Sequence, residues 1–575
     1  MDEELKQSIR MRSSLALAVF ALAAVVLVGR AAYLQLVDSA FLLEQGDARQ
    51  LRVETIAAHR GSILDRNGEP LAVSTPVDSV WANPQQLLAV PDQIPQLAAA
   101  LDVDTQALMN LLTRRGEREF VYLRRHMAPD DAARIQRLSV PGVHLQREYR
   151  RYYPAGEVAV HVLGFTDIDD SGQEGLELAF DEHLRGEPGA KRVLRDRLGR
   201  TIAEVESIQP ARRGEALTTS IDLRLQYLAY RELKAAVQQH NARSGSMVVL
   251  DVHTGEVLAM VNQPSLNPND RRQFRGDLYR NRAVTDIFEP GSSFKPFVIA
   301  AALESGDFQP SSVVDTGNGR VLVGTKIITD ERPLGVIDLP TILRRSSNVG
   351  ATLVALQLRP DQLWGVLSHF GFGHATASGF PGESGGLLNQ PGSWLPIGQA
   401  TLAYGYGVSV TPLQLAQAYA ALGNGGRVPT ATFLMSDGAA PSEFAVGSAT
   451  ADSIVQMLET VVGVGGTARA AAVPGFRIAG KTGTARKYVA GGYSEDRHVA
   501  IFAGLAPASD PRIAAVVILD EPQGDEYYGG EVAAPVFSRV VGGALRLMDI
   551  APDDIPDEVL AAGAPAATPT HAAGG

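Results

Sequence analysis

Glu289-Pro290-Gly291-Ser292-Ser293-Phe294-Lys295-Pro296 runs directly into the apolar stretch Phe297-Val298-Ile299-Ala300-Ala301-Ala302-Leu303. The apolar stretch reads as a buried helix, closed by Glu304-Ser305-Gly306 with glycine as a stop. Pro296 fixes where that helix begins, because proline lacks an N–H and only the first turn can spare one. The start therefore falls at about Ser292 or Ser293, which puts Ser292 at the positive end of the helix. Lys295 follows one turn later on the same face. A serine beside a lysine amine at a helix N-terminus is an activated nucleophile if the amine is kept neutral.

Lysine usage sharpens this reading. Of the 52 Lys and Arg residues only seven are lysine, namely Lys6, Lys191, Lys234, Lys295, Lys326, Lys481 and Lys487. Only Lys295 has a serine three positions before it. Arginine stays protonated in proteins, whereas a desolvated lysine can act as a base. The bland account, a solvated helix end in an arginine-biased chain, is weakened by two further stretches. Arg344-Arg345-Ser346-Ser347-Asn348 places Ser346 54 residues after Ser292, and Lys481-Thr482-Gly483-Thr484 begins 133 residues after Asn348. Serine with lysine, then S-x-N, then K-T-G, in that order, is the signature of penicillin-recognising serine enzymes.

The remainder of the chain bounds the setting. At 575 residues it is too long for one domain, and 45% hydrophobic residues are ample for a packed core. A net charge of −12 without a long basic run argues against nucleic acid as partner. Cysteine is absent, which excludes disulfides and Cys-ligated metal. Ser13 to Gly29 is 17 residues without a charge, flanked by Arg10, Arg12 and Arg30. With Arg30 snorkelling, residues 13–37 read as an uncleaved transmembrane anchor after a short tail, 1–12. Lys6, Arg10 and Arg12 precede it, so the N-terminus is expected in the cytoplasm and everything after about residue 38 outside.

Residues 45–215 are mixed, rich in Arg and Asp, and read as a structural module without a catalytic cluster. Arg66-Asn67-Gly68 reads as a hairpin turn there, and 129–139 as a short helix. From 216 a helix is expected to Gln239, then a hairpin over 247–260. Helical runs follow around 292–305, 339–357 and 411–423, and strands at 476–485, 498–506 and 513–520. Strands at both ends with helices between predict an α+β domain over 216–550, its central antiparallel sheet covered by helices. Residues 551–575 are Ala, Pro, Gly and Asp, and are expected to be disordered.

Apart from that tail, the chain resembles a class B penicillin-binding protein: an anchor, a pedestal (dimerisation-like) domain carrying Arg60-Gly61-Ser62-Ile63-Leu64-Asp65-Arg66-Asn67-Gly68, then a transpeptidase domain. Tyr404-Gly405-Tyr406-Gly407-Val408-Ser409-Val410-Thr411-Pro412 and Gly524-Asp525-Glu526-Tyr527-Tyr528-Gly529-Gly530 look more like the division branch than the elongation branch. Asp251-Val252-His253 departs from the Asp-Pro commoner in the family, at no catalytic position. The resemblance implies acyl transfer on D-Ala-D-Ala stem peptides of peptidoglycan, as transpeptidase or carboxypeptidase, with β-lactams as covalent inhibitors and no cofactor. Ser292 would be the nucleophile and Lys295 its base, with the Lys481 cation nearby. Ser346 would relay a proton, Asn348 would hold Lys295 and the substrate amide, and Lys481 with Thr482 would take the substrate carboxylate. Gly483 would let substrate add to the strand edge, backbone N–H groups of Ser292 and Thr484 would form the oxyanion hole, and Tyr527 and Tyr528 would wall the site. The implied setting is the bacterial inner membrane with the catalytic domain periplasmic. Implied partners are a membrane glycan polymerase of the FtsW type and other divisome proteins.

Rival readings carry less. Gly475-Phe476-Arg477-Ile478-Ala479-Gly480-Lys481-Thr482 fits the P-loop pattern, but a P-loop needs a helix beginning at its lysine, and Gly483, Gly491 and Gly492 follow. Gly382-Glu383-Ser384-Gly385-Gly386 matches a hydrolase elbow, yet it sits in a loop between Phe380-Pro381 and Gln390-Pro391-Gly392. An anchor and pedestal are unnecessary for a β-lactamase, and a scaffold would not need three intact motifs.

Overall fold

The computed structural model describes residues 2–37, 51–195, 201–436, 438 and 443–554. Residue 45, where the pedestal was expected to begin, and 555–575 of the expected tail lie outside the described residues. Asp2–Leu36 is one unbroken helix, and its Gln7–Leu36 stretch is long and apolar enough to cross a bilayer. Thirty residues at about 1.5 Å each give roughly 45 Å. Leu17, Phe20 and Leu27 are exposed along it.

The chain divides into two compact units that do not follow linear order. One comprises Met1–His59, Pro76–Arg150 and Gly186–Gly214. Its small core gathers Val80 from the strand Pro70–Ala82 and Leu87, Ile94, Leu97, Leu101 and Leu108 from short helices. Two of those helices are started by side-chain caps: Asn83 accepts from Gln85 N, and Asp104 from Ala107 N. The expected helix at 129–139 is Pro129–Arg137, with proline in its first turn. Glu148, on the strand Val143–Tyr152, accepts from Ser79, Tyr122 and Arg125.

The other unit comprises Arg60–Thr75, Arg151–Arg185 and Glu215–Gly575. Its sheet is built from β1 (Ser244–Asp251), β2 (Val257–Gln263), β3 (Ala479–Val489), β4 (Gly492–Ala506) and β5 (Ile513–Asp520). All pairings are antiparallel in the spatial order β2-β1-β5-β4-β3, so β3 is an edge. Every residue of β1 and β2 is buried, because helices cover both faces. Leu223–Gln239 (α1, capped by Asp222) packs on one side together with the C-terminal helix Ala534–Leu547. Across the sheet lie α2 (Lys295–Glu304), α3 (Leu339–Arg345), α4 (Asn348–Gln357), α5 (Pro412–Gly423) and α6 (Ser448–Val462). Phe297 of α2 meets Phe294, Phe370, Phe372 and Tyr419 at centroid distances of 4.9–5.8 Å. The expected helical run 339–357 is two helices. Ser346 at φ +58° ends α3, and Ser347 caps α4 by accepting from Gly350 N at 2.8 Å. Serine competes with the backbone for hydrogen bonds and so favours caps over helix interiors.

Arg60, from the Arg-Gly stretch that resembles the family's pedestal, is 1% exposed and holds the catalytic unit together. It pairs with Glu177 at 2.8 Å and Asp181 at 2.7 Å, and donates to the carbonyls of Asp170 and Glu177. Arg151 reaches the other Glu177 oxygen at 2.5 Å and donates to Gly61 O. The Arg66-Asn67-Gly68 turn follows, with Asp65 accepting from Asn67 N and Glu69 N. Removing one member of a buried charge cluster leaves the others unpaired, at a cost of about 3–5 kcal/mol. Glu177→Ala is therefore expected to lower unfolding stability by about that amount, read by urea unfolding; an unchanged midpoint contradicts the structural role.

Candidate active site

Ser292 lies in a 3-10 turn, Gly291–Phe294, that leads into α2, whose α-helical hydrogen bonding begins at Lys295. The turn puts the Ser292 hydroxyl 3.0 Å from Lys295 Nζ. The amine also meets Asn348 Oδ1 at 2.8 Å, Ser346 O at 2.6 Å and Ser346 Oγ at 3.2 Å. Ser346 is available there because its left-handed backbone turns it out of the helix between α3 and α4. Lys481, near the start of β3 opposite Ala503, donates to Ser346 Oγ at 3.0 Å from the other side. Both lysines are fully buried.

Burial depresses the Lys295 amine well below the ordinary lysine range; Lys481 adds to the shift, while Asp330 and Glu331 oppose it. Burial also brings Lys481 down to about 7. The expectation of a standing cation at Lys481 is thus refined: its charge in the free site depends on pH.

A cleft of about 960 Å³ opens over these groups, lined by Ser292, Ser346, Asn348, Thr482, Thr484 and Tyr528 among others. Thr482 shares a hydrogen bond with Thr467 at 3.1 Å, and Thr484 Oγ1 accepts from Gly529 N at 3.1 Å. A Cβ on Gly483 would stand 2.7 Å from Pro290 O, so glycine there admits the nucleophile turn itself. Tyr528 is brought to the cleft; Tyr527 stacks between it and His498, at 4.5 and 4.4 Å.

Asp330 was not singled out from sequence. It accepts from Asn348 N at 2.6 Å, Val349 N at 3.0 Å and Ser347 Oγ at 2.6 Å, an anion at the start of α4. Asp330-Glu331-Arg332 follows a short hairpin, and no spacing links it to Asn348. The P-loop alternative fails on geometry, since Lys481 lies inside a strand. Ser384 sits in a loop with no helix after it.

The transpeptidase domain of penicillin-binding proteins matches residues 245–542, and their dimerisation domain matches residues 55–219. The chain belongs to the class B penicillin-binding proteins, serine transpeptidases with those two domains. It is 42% identical over 557 residues to the peptidoglycan D,D-transpeptidase FtsI of Escherichia coli K12, covering 96% of this chain and 94% of that one. It is 39% identical to the probable peptidoglycan D,D-transpeptidase PenA of Neisseria meningitidis, covering 96% and 95%. The apo transpeptidase domain of Burkholderia pseudomallei penicillin-binding protein 3 matches at TM-score 0.54 and 40% identity, covering 59% of this chain and 98% of that one. Penicillin-binding protein 3 of Mycobacterium tuberculosis, complexed with aztreonam, matches at TM-score 0.68 and 27% identity, covering 87% and 98%.

A Lys481 group near 7 predicts an alkaline limb in β-lactam acylation. On the carboxylate-binding role that the resemblance implies for Lys481, loss of its proton as pH rises through 7 would remove its attraction for the ligand. The second-order acylation constant should therefore fall above about pH 7, and the limb should move to higher pH at saturating β-lactam. A flat profile between pH 6 and 9 rules this out.

Proposed function

We propose that the chain is a division-type peptidoglycan D,D-transpeptidase that cross-links septal stem peptides through an acyl-enzyme on Ser292. The contact between Lys295 Nζ and Ser292 Oγ at 3.0 Å carries the reading. Neutral Lys295 takes the hydroxyl proton as Ser292 Oγ bonds to the penultimate D-Ala carbonyl carbon. Backbone N–H groups of Ser292 and Thr484 receive the oxyanion. The C–N bond to the terminal D-Ala then breaks, and its nitrogen takes a proton through Ser346, which touches both lysines. An amine from a neighbouring stem peptide attacks the ester, gives up a proton to the same relay and restores Ser292. Water in place of the amine makes the reaction a carboxypeptidase. Protonated Lys481 with Thr482 seats the terminal carboxylate, Asn348 holds Lys295 and the substrate amide, and Tyr528 borders the cleft with Tyr527 behind it.

Intact-mass measurement after exposure to penicillin tests this reading. One adduct should map to Ser292 and vanish in Ser292→Ala without loss of fold. Lys295→Arg should cost several orders of magnitude in acylation, because guanidinium cannot accept the proton, and Lys481→Arg much less. An adduct on Ser384, or equal tolerance of both lysine substitutions, contradicts the roles.

We further propose that residues 13–37 anchor the chain in the inner membrane with the N-terminus cytoplasmic and the rest outside, 45–215 as a pedestal whose segments 60–75 and 151–185 belong to the catalytic unit, and 216–550 as the catalytic domain. Cross-linking consumes freshly polymerised glycan, and the polymerase of the FtsW type implied by resemblance would meet the anchor and pedestal alongside other divisome proteins. Replacing 13–37 by an unrelated apolar helix should impair septation while Ser292 acylation persists. Normal septation would take the anchor out of that interface.

A further inference from the structure

Glu289 stands three residues before Ser292 and takes no part in the reaction just described. Its Oε1 accepts from Gly407 N at 2.8 Å and from the Tyr493 hydroxyl at 3.0 Å. Gly407 ends the Tyr404-Gly405-Tyr406-Gly407 segment, and Tyr493 lies on β4 beside the β3–β4 turn. The same segment touches the nucleophile turn twice more. Gly291 N donates to Gly405 O at 3.2 Å, and a Cβ on Gly405 would lie 2.1 Å from Gly291 O, so the two backbones are in direct contact. Tyr406 then closes the circuit, its hydroxyl accepting from Arg486 N at 3.0 Å, two residues beyond Thr484. Tyr406 and Tyr493 also meet edge to face at 5.2 Å.

We propose that Glu289, with Tyr406 and Tyr493, is a latch that fixes the Ser292 turn against the Lys481-Thr482-Gly483-Thr484 strand. The inference rests on the Ser292 acylation reading and names positioning residues for it. The nucleophile and one oxyanion N–H belong to the 289–292 turn, and Thr484 with its N–H belongs to β3. No covalent link joins the two, so their separation is set by contacts across the gap. The Glu289 bonds tie the turn to the 404–407 segment and to β4, and the Tyr406 bond ties that segment to β3. A displacement of about 1 Å between reacting groups can cost on the order of a hundredfold in rate. One oxygen of Glu289 makes both bonds, and a glutamine carbonyl has the lone pairs to accept both. Burial raises the Glu289 carboxyl above its usual range, against the two hydrogen bonds it accepts from Gly407 and Tyr493.

The test is rapid-mixing acylation of the full-length chain in detergent by a chromogenic cephalosporin, separating the pre-acylation constant from the acylation rate constant. Active fraction is counted independently as adduct per chain by mass spectrometry. Glu289→Ala should lower the acylation rate constant at least tenfold with the pre-acylation constant within about twofold. Glu289→Gln should restore it to within about threefold of wild type. Tyr406→Phe, which keeps the ring and removes the acceptor for Arg486 N, should lower the same constant, and serves if Glu289→Ala does not fold. The pH limb should stay where it lies in wild type. A wild-type rate constant in Glu289→Ala or Tyr406→Phe overturns the latch, as does loss confined to the active fraction. Glu289→Gln as impaired as Glu289→Ala, or a shifted limb, also overturns it by assigning the effect to charge. Absence of a Ser292 adduct in wild type would instead defeat the acylation reading on which the latch depends.

Discussion

Two lysine amines, both fully buried, meet at the hydroxyl of Ser346, at 3.2 Å from Lys295 and 3.0 Å from Lys481. The nitrogens therefore stand no more than about 6 Å apart, where two positive charges repel by roughly 3 kcal/mol at an effective dielectric near 20. For Lys295 that repulsion comes on top of what burial alone imposes. Both amines cannot comfortably be charged together. Lys295 gives way, since it is the one whose depression is reinforced by its neighbour. In the proposed reaction, a lysine that surrenders its proton inside the protein is what would turn an ordinary serine hydroxyl into a nucleophile.

The fold has to bring three distant chain segments to that hydroxyl, and each arrives by a different device. The 3-10 turn before α2 sets Ser292 and Lys295 one turn apart. The break between α3 and α4 turns Ser346 outward while Asp330 holds the start of α4. Strand β3, at the sheet edge, delivers Lys481 with one face toward the helices. None of these positions is a helix or strand interior free to drift. Each is pinned by proline, by a cap, or by sheet register.

Much of this was legible before any coordinates. Pro296 announced the start of α2, and the hairpin at 247–260 and the strand at 513–520 lie where alternation and β-branched runs placed them. The split of 339–357 was not legible, because Arg344, Arg345 and the apolar residues around them keep a helical period through Ser346 and Ser347. Only the capping geometry breaks it. Asp330 and Thr467 escaped for a different reason: they join the site through tertiary contacts that no local spacing encodes. The interleaving of 60–75 and 151–185 with the catalytic unit was equally hidden, since Arg60 and Glu177 are 117 residues apart.

The value near 7 for Lys481 gives the pair a property that a permanently charged residue would lack. In the free site each proton on Lys481 makes protonation of Lys295 harder, so the cleft carries its charge mainly on the strand side. In the proposed roles, a substrate carboxylate seated on Lys481 and Thr482 would raise the proton affinity of Lys481 more than that of Lys295, which faces Ser292, Ser346 and Asn348 instead. The proton then stays on Lys481 over a wider pH range, and its field keeps Lys295 neutral over the same range. On that proposal, binding of the anionic end of the substrate would sustain the base at the moment the base is required. An arginine in place of Lys481 would keep the charge but lose this dependence on the ligand, which is a physical reason for lysine at both positions in a chain that otherwise favours arginine.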